Sequence, residues 1–267
     1  MPKIVTVGSD PEFVLSEHSW LLDAEQFFVD LLDNNIIRPR VLTGYPYSSS
    51  RFQLDLNKTR IGVDGCSTTG ELRPPYSDNP LIHFQNVRHS ICALDRIVRL
   101  SKRRIKVFAG NCWYGEPMGG HLHIGGKTVS AARIDALDTY LAFWLKRIYD
   151  ADKAVEREEN GYGEFGQYRT KPYGFEYRTP ASWLVNPVTA KAVICLAKVV
   201  GSEAIEHIHE HNEKATRESR PSHIYKELCK FRLYHKYAKY INPLITRSTR
   251  CIQWKESENI LRTWGFR

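Results

Sequence analysis

The sequence lacks the features that mark several large classes of protein. It has no apolar run long enough to cross a membrane, no collagen-like period, no low-complexity tract and no internal repeat. Its six cysteines lie far apart without a C-x-x-C pair, which is typical of reduced thiols rather than of a disulfide scaffold. The first residues also lack the apolar run of a signal peptide. We therefore expect a cytoplasmic protein with no membrane partner.

Two nucleotide-binding signatures are also absent. The sequence contains neither a P-loop nor the glycine fingerprint of a doubly wound dinucleotide fold. What it does contain is ordinary for a globular protein: 267 residues, of which 42% are hydrophobic and 25% are charged. This length can bury a full core, and no composition shift marks a boundary. We therefore expect residues 1–267 to form a single domain.

The charge is positive and unevenly distributed. Lys and Arg number 38 against 30 Asp and Glu, a formal net charge of +8. Residues 201–267 alone hold 13 basic and 8 acidic side chains. A basic surface attracts polyanions such as nucleic acid or nucleotide phosphates, and charge alone does not distinguish these partners. A polyanion contact is therefore expected in the C-terminal part of the chain.

The apolar pattern predicts strands and helices without a regular βαβ alternation. Pro11 interrupts the first strand, so we expect a bulge or a sheet edge there. We expect an α+β fold, in which helices pack on one face of a mainly antiparallel sheet. Residues 156–174 are predicted to be a functional loop. Predicted strands cover 3–8, 13–15, 105–108, 121–124 and 175–179, and predicted helices cover 21–33, 80–98, 130–150 and a segment from 187 onward.

Polar residues recur two apart in the predicted strands. Residues i and i+2 of a strand project from the same face of its sheet. A face that carries carboxylates, imidazoles and guanidinium groups cannot be an apolar core, because burying unpaired charge costs several kcal/mol, roughly. We therefore expect a polar cleft on one face of the sheet. The four pairs are Asp10 and Glu12, Glu71 and Arg73, His121 and His123, and Glu176 and Arg178.

The residue types on this face indicate metal and phosphate chemistry. Hard oxygen ligands with one or two imidazoles suit Mg²⁺ or Mn²⁺ better than a metal that prefers thiolates. Basic side chains beside such cations would form a phosphate clamp, as phosphoryl transfer requires. The candidate oxygen ligands are Asp10, Glu12, Asp64, Glu71 and Glu176, and the candidate clamp residues are Arg73, Arg169, Lys171 and Arg178.

Each of these elements also has a common structural explanation. Asp10-Pro11-Glu12 alone is typical of a turn, and the two Glu-x-Arg pairs are typical of structural ion pairs. His207 and His211 would share one face of a helix, but neighbouring glutamates favour a solvated surface over a zinc site. Tyrosines among the basic residues of the tail favour half-buried aromatics over a single-strand binder. The fourfold recurrence of one spacing favours a functional site.

The same motifs, in order, resemble a known family. They are Gly8-Ser9-Asp10-Pro11-Glu12-Phe13, Gly62-Val63-Asp64-Gly65 with Glu71-Leu72-Arg73-Pro74, Gly119-Gly120-His121-Leu122-His123-Ile124-Gly125, and the segment 168–180 with Arg169, Lys171, Glu176 and Arg178. This order resembles the phage-type carboxylate-amine ligases, or amidoligases, which are grouped with glutamine synthetase and glutamate-cysteine ligase. The match covers residues 4–184, and residues 185–267 carry no matching motif.

The resemblance implies a fold and an activity. It implies a curved antiparallel sheet that forms a funnel-like site, ATP with two or more Mg²⁺ or Mn²⁺ ions, and an acyl phosphate that an amine attacks. It implies a motif-bearing catalytic core over 4–184 and a helical C-terminal part over 185–267. The carboxylate and amine substrates stay open among an amino acid, a peptide, a protein and a modified nucleotide. A phage-encoded enzyme of this kind would act in the host cytoplasm.

The resemblance also implies a role for each matched residue. One metal would be held by Asp10, His121 and Glu176, and the metal nearer the carboxylate substrate by Glu12, Asp64 and Glu71. His123 would face the nucleotide, and the transferring phosphoryl group would contact Arg73, Arg169, Lys171 and Arg178. The sequence departs from the family at Asp10, where the better-known relatives have Glu.

Two other functions stay open on the residues alone. A metal-dependent nuclease or phosphodiesterase also uses acidic clusters and histidine with a basic surface. A non-enzymatic nucleic-acid-binding protein would use the basic tail and would not need the metal ligands. DNA cleavage with Mn²⁺ distinguishes the first from a ligase, and salt-sensitive binding that survives loss of the ligands identifies the second.

Overall fold

The computed structural model describes residues 4–37, 40–43, 53–55, 60–63, 65–203 and 220–266. Asp64 lies outside these ranges, as do His207, His209 and His211, so the roles considered for them stay predictions. No helix within the described ranges has the length and apolar character needed to span a membrane.

One antiparallel sheet organises the chain around its first strand. Strand β1 (Thr6–Glu17) pairs with β10 (Gly120–Gly125) along its first half, and with β6 (Thr69–Arg73) and β7 (Ile105–Phe108) along its second half. The sheet extends in the order β11-β12-β10-β1-β6-β5-β4-β3, while β2 also pairs with β1 and β8 pairs with β9. These further strands are β2 (Trp20–Leu21), β3 (Arg40–Thr43), β4 (Gln53–Asp55), β5 (Arg60–Val63), β8 (Cys112–Trp113), β9 (Glu116–Pro117), β11 (Tyr168–Lys171) and β12 (Gly174–Tyr177).

Pro11 lies inside this central strand, so the predicted bulge or edge is wrong. It is the last residue of β1 that pairs with β10, opposite Gly120, and Glu12 is the first that pairs with β6, opposite Glu71. A proline disrupts a sheet because it cannot donate a ladder hydrogen bond. Here the missing N–H group falls where the strand changes partners, which is why β1 continues through it.

Helices cover one face of the sheet. Helix α2 begins as its sequence predicts: Asn79 caps it by accepting a hydrogen bond from the Leu81 N–H at 3.0 Å, and Pro80 occupies the first turn. The helices are α1 (Ala24–Asp33), α2 (Pro80–Leu100), α3 (Ala131–Leu137), α4 (Phe143–Lys146), α5 (Ala151–Glu159), α6 (Pro187–Ser202), α7 (Pro221–Leu228), α8 (Tyr234–Thr249) and α9 (Ile260–Thr263).

The core lies between the sheet and these helices. Helices α1, α2 and α6 contact sheet strands, and α6 also packs against α2 and α8. Their apolar residues belong to one buried cluster with alternate residues of the strands. The stripe predicted on α2 is confirmed, because all of its members are buried: Phe84, Val87, Ile91, Leu94 and Val98.

Two predicted elements differ from the structure. The single helix expected over 130–150 is divided by a π-helical turn at Asp138–Ala142, where buried Asp138 accepts a hydrogen bond from the Tyr177 hydroxyl at 2.5 Å. The functional loop expected over 156–174 begins later, because 156–159 complete α5 and 168–171 form β11. Periodicity alone does not reveal either feature, since both depend on contacts with other elements.

Candidate active site

The polar pairs of the sequence lie on the sheet face opposite the helices. Asp10 is directly opposite His121, and Glu12 is opposite Glu71. On the next strands, His123 is opposite Glu176. Directly opposed residues of an antiparallel pair project from the same face. The registers therefore bring together residues from β1, β6, β10 and β12.

An acid and histidine cluster occupies the centre of this face. Nε2 of His123 lies 2.9 Å from Oδ2 of Asp10, and Nδ1 of His121 lies 3.6 Å from both Oδ1 of Asp10 and Oε1 of Glu176. One ligand atom each from Asp10, His123 and Glu176 fall within 4.8 Å of one another. The sequence grouped His121 with these two acids and placed His123 toward the nucleotide. The geometry of the described residues keeps His121 beside both acids and adds His123 to the group.

The protonation of this cluster follows from burial and from mutual charge. Burial raises the pKa of Asp10, but the adjacent imidazoles of His121 and His123 outweigh burial and hold that pKa well below its ordinary value. Burial lowers the pKa of His121, but the nearby carboxylates of Asp10 and Glu12 outweigh burial and raise it. The cluster therefore keeps the Asp10 carboxyl group ionised.

Glu12 is held by backbone rather than by a cation. Its Oε2 accepts a hydrogen bond from the Gly119 N–H at 2.5 Å. Burial raises the pKa of Glu12, while the charge of His121 and the Gly119 hydrogen bond act in the opposite direction. Gly119 must lack a side chain, since a Cβ there would lie 2.3 Å from Nε2 of His121. The glycine motif thus serves close packing of the imidazole.

The basic side chains of this face form ion pairs with its carboxylates. Nζ of Lys171 is 2.7 Å from Oε2 of Glu176, and Nε of Arg178 is 3.3 Å from its Oε1. Arg169 lies farther away, 3.9 Å from Oε2 of the same residue. On the neighbouring strand, Nε of Arg73 is 2.5 Å from Oε1 of Glu71. The side chains predicted to clamp phosphate therefore neutralise the side chains predicted to hold metal.

The donor set fits a divalent cation that prefers oxygen. Oδ1 of Asp10 is buried and accepts no hydrogen bond from any described residue. An orphaned carboxylate oxygen is costly unless a cation or water satisfies it. Carboxylate oxygens with imidazole nitrogen are ligands that Mg²⁺ and Mn²⁺ accept. The residues present therefore fit the metal that the sequence analysis expects.

Two residues of the site carry no signal in the sequence. Arg157 of α5 is buried, and its guanidinium donates to the backbone carbonyls of Met118, Thr179 and Pro180 at 3.2 to 3.3 Å. It thereby fixes the strand ends on either side of the cluster. The Tyr173 hydroxyl lies 3.0 Å from Nδ1 of His123, and the two rings stack with centroids 5.7 Å apart. A neighbouring aromatic of this kind orients the imidazole.

The C-terminal part of the chain supports the same site. Glu256 is buried and accepts hydrogen bonds from the backbone N–H of Asn111 at 2.8 Å and from Nε1 of Trp254 at 2.6 Å. Burial raises the pKa of Glu256, and these hydrogen bonds partly offset that effect. Asn111 accepts in turn from the N–H of Met118 at 2.9 Å, through its backbone carbonyl. Residues beyond 250 therefore help to position the segment that ends at Gly119.

A cavity of about 300 Å³ opens beside the cluster. One side is formed by Glu12, His121 and Arg178 of the sheet face. The rest of its wall includes Cys66 and Glu116, and Asn160 and Tyr162 that follow α5. The volume is at the lower end of the range for small-molecule sites. The arrangement can therefore hold a small polar group next to a metal and phosphate site.

A protein-family model matches most of this chain. Residues 57–266 match the model of a family described as phage phiEco32-like COOH.NH2 ligase type 2. The match leaves out the Gly8–Phe13 motif and extends through 185–266, so the expectation that no family signal lies in the C-terminal part is wrong. None of the curated proteins matches this sequence significantly.

Two solved structures share the fold. The ligase PafA, solved with the prokaryotic ubiquitin-like protein Pup, is 10% identical with a TM-score of 0.57, and the alignment covers 98% of this chain and 66% of that chain. GmaS, solved without ligand, is 12% identical with a TM-score of 0.50, covering 94% and 67%. The chain thus spans about two thirds of each relative. These likenesses confirm the predicted α+β class and the glutamine synthetase-like fold.

Proposed function

The chain belongs to the phage phiEco32-like COOH.NH2 ligase type 2 family, and from this premise we propose that it forms an amide bond between a carboxylate and an amine with ATP. The predicted family resemblance is confirmed. The observation that carries the proposed chemistry is the sheet face on which Asp10, His123 and Glu176 converge beside Lys171 and Arg178. Phosphoryl transfer needs this combination of metal ligands and phosphate-binding cations.

The reaction proceeds in two balanced steps. A carboxylate oxygen attacks the γ-phosphorus of ATP, the bond to the β-phosphate oxygen breaks, and ADP leaves behind an acyl phosphate. The amine nitrogen then attacks the acyl carbon, the carbon–oxygen bond to phosphate breaks, and the amide forms. An ammonium substrate loses two protons in this step: one goes to the departing phosphate and one to solvent. Each step moves negative charge onto oxygen atoms that cations must stabilise.

The chain's own residues have distinct tasks in these steps. Arg169, Lys171 and Arg178 contact phosphate oxygens, and Arg73 does so beside the carboxylate. Arg157 and Gly119 hold the backbone and the Glu12 carboxylate in place. Bound Mg²⁺ or Mn²⁺ neutralises phosphate charge; one ion would be held by Asp10, Glu176 and a histidine, and another by Glu12, Asp64 and Glu71. That histidine would be His121, whose Nδ1 lies 3.6 Å from an oxygen of each acid, or His123, which lies within 4.8 Å of ligand atoms of both.

The proposal includes an exchange of ion pairs. Lys171 and Arg178, which pair with Glu176 in this structure, would bind the phosphates instead, and Glu176 would then be available to hold a metal ion. We place the reaction in the cytoplasm, where ATP is regenerated, and within one catalytic domain over 1–267. The carboxylate and amine stay open among an amino acid, a peptide, a protein and a modified nucleotide. The basic C-terminal part is proposed to contact a polyanionic substrate.

The test uses hydroxylamine as a neutral nucleophile. Purified protein with ATP, Mg²⁺ and a panel of carboxylates should release ADP and form a hydroxamate only with the cognate carboxylate. Glu176→Ala should lower this rate at least 10³-fold, roughly, because a metal ligand is lost, while circular dichroism stays unchanged. Glu159→Gln, an exposed acid at the end of α5, is the matched control and should keep full activity.

Two results would overturn the proposal. The first is the absence of ATP and Mg²⁺ binding in calorimetry with the folded protein. The second is cleavage of single- or double-stranded DNA with Mn²⁺, abolished by Glu176→Ala, which would establish a nuclease instead. A ligase leaves the strands intact.

A further inference from the structure

The cavity beside the cluster is lined by charged side chains of both signs. Glu12, His121 and Arg178 lie on the sheet side, next to the proposed phosphoryl-transfer site, and Glu116 belongs to the remaining wall. Glu116 is in β9, directly opposite Trp113 of β8. Its register on this short hairpin places a carboxylate in the lining, three residues before Gly119 whose N–H binds Glu12. The cavity therefore connects the reacting centre with a separate acidic group.

Glu116 differs in its contacts from Glu71 and Glu176. Glu71 pairs with Arg73, and Glu176 pairs with Lys171 and Arg178. Within the described part of the chain, the polar contact of the Glu116 side chain is Sγ of Cys66 at 3.5 Å, and no Lys or Arg forms an ion pair with it. A carboxylate in a cavity without a cationic partner attracts a cation from solution.

We propose that this cavity binds the amine substrate as a primary ammonium ion, with Glu116 as its counterion. The inference rests on the proposed ligase function, because it assigns the second substrate of the same site. An ammonium at Glu116 would have the acyl phosphate on the Arg178 side of one small cavity. Glu116 and Arg178 would therefore orient the amine and the acyl phosphate toward each other.

The size of the cavity restricts the amine. A volume of about 300 Å³ admits an aminoalkyl group of a few carbons but no folded domain. The substrate amine is accordingly a small free amine or the end of a flexible chain that reaches in from solvent. Asn160 and Tyr162 at the wall supply polar and aromatic contacts for such a chain.

Cys66 is a built-in reporter of this charge. Its thiol is partly buried, lines the cavity and lies beside Glu116. In a background with Cys92→Ser, Cys229→Ser and Cys251→Ser, mass spectrometry would follow the labelling of Cys66. The probes are the cationic 2-aminoethyl methanethiosulfonate and the anionic 2-sulfonatoethyl methanethiosulfonate, each rate normalised to that of free mercaptoethanol. The ratio of the two rates cancels changes in intrinsic thiol reactivity.

The expected result is a preference for the cationic probe that depends on Glu116. Glu116→Gln, which keeps the shape of the side chain, should lower the normalised ratio about tenfold, and Glu159→Gln should leave it unchanged. Cadaverine should also protect Cys66 from the neutral reagent methyl methanethiosulfonate, and uncharged 1,5-pentanediol should not. An unchanged ratio in Glu116→Gln, or equal protection by both compounds, would refute the ammonium site.

The outcome of the labelling experiment does not depend on the proposed ligase activity. Labelling of Cys66 needs neither ATP nor a carboxylate, whereas hydroxamate formation needs both and does not need an ammonium. In the active enzyme, Glu116→Gln should raise the KM for the amine about tenfold, a larger change than in the KM for hydroxylamine, which is neutral. Loss of hydroxamate formation in this variant would show that Glu116 serves the first step instead, and would overturn the assignment.

Discussion

The two faces of the central sheet are made by alternate residues of the same strands, yet they differ in every physical respect. In β10, His121 and His123 project into the site, while Leu122 and Ile124, which alternate with them, are fully buried against the helices. One face stabilises the fold by removing apolar area from water. The other gathers charges that balance one another. The difference shows that alternate residues of a single strand can serve stability and chemistry separately.

The apolar face should lose the most stability when it is changed. Leu122→Ala would leave a cavity in a closely packed core, and we expect it to lower the free energy of unfolding by about 2–5 kcal/mol. Arg169→Ala, on the polar face and half exposed, is the matched variant and should change it by less than about 1 kcal/mol. Urea denaturation followed by tryptophan fluorescence measures both. Equal losses would break the proposed division between the faces.

Arg157 carries a buried charge that contacts backbone carbonyls rather than side chains of either sheet face. Arg157→Met keeps the length of the side chain but removes its donors to the carbonyls of Met118, Thr179 and Pro180. We expect a loss of about 2–3 kcal/mol in denaturant unfolding, because buried carbonyls would lose their partners. Arg157→Lys, which keeps the charge but fewer donors, should lose less. A fully stable Arg157→Met would show that these hydrogen bonds do not hold the strand ends.

Asp138 should give an effect that is confined to one pH range. Burial raises its pKa to about 7, which the hydrogen bond from Tyr177 only partly offsets. Between pH 4 and pH 7 the unfolded chain releases this proton first, so stability should fall with rising pH by roughly 2–4 kcal/mol. Asp138→Asn still accepts from Tyr177 and should remove this slope. Thermal unfolding from pH 4 to pH 8 measures it, and equal slopes in variant and wild type would contradict the expectation.

The sequence predicts the faces of the sheet better than the contacts within them. The i, i+2 spacing is local, so it identifies the shared face of Asp10 and Glu12 without knowledge of the fold. The distances from Asp10 to His121 and His123 depend on side-chain reach between two strands, over a separation of more than 100 residues. Spacing contains no information about those distances.

Other features depend on backbone groups, which every residue has. The carbonyls that accept from Arg157 have no residue-type signature, so α5 showed no sign of its buried charge. The hydrogen bonds between Asn111 and Glu256 join segments 145 residues apart, so local spacing does not reveal them. Pro11 was misplaced because its local propensity is that of an edge, whereas the change of strand partners is a tertiary property.

The ion pairs of Glu176 with Lys171 and Arg178 have a thermodynamic consequence for ligand binding. A zinc finger unfolds without its ion, because only the metal balances its ligands. Here Lys171 and Arg178 already balance the charge of Glu176, so we expect the site to stay folded when metal is removed. Under the proposed function, bound nucleotide phosphates would draw Lys171 and Arg178 away from Glu176, which would free this carboxylate for a metal ion. A metal ion at Glu176 would in turn leave Lys171 and Arg178 free to bind phosphate. The two ligands are therefore linked, each raising the affinity of the other by the same factor.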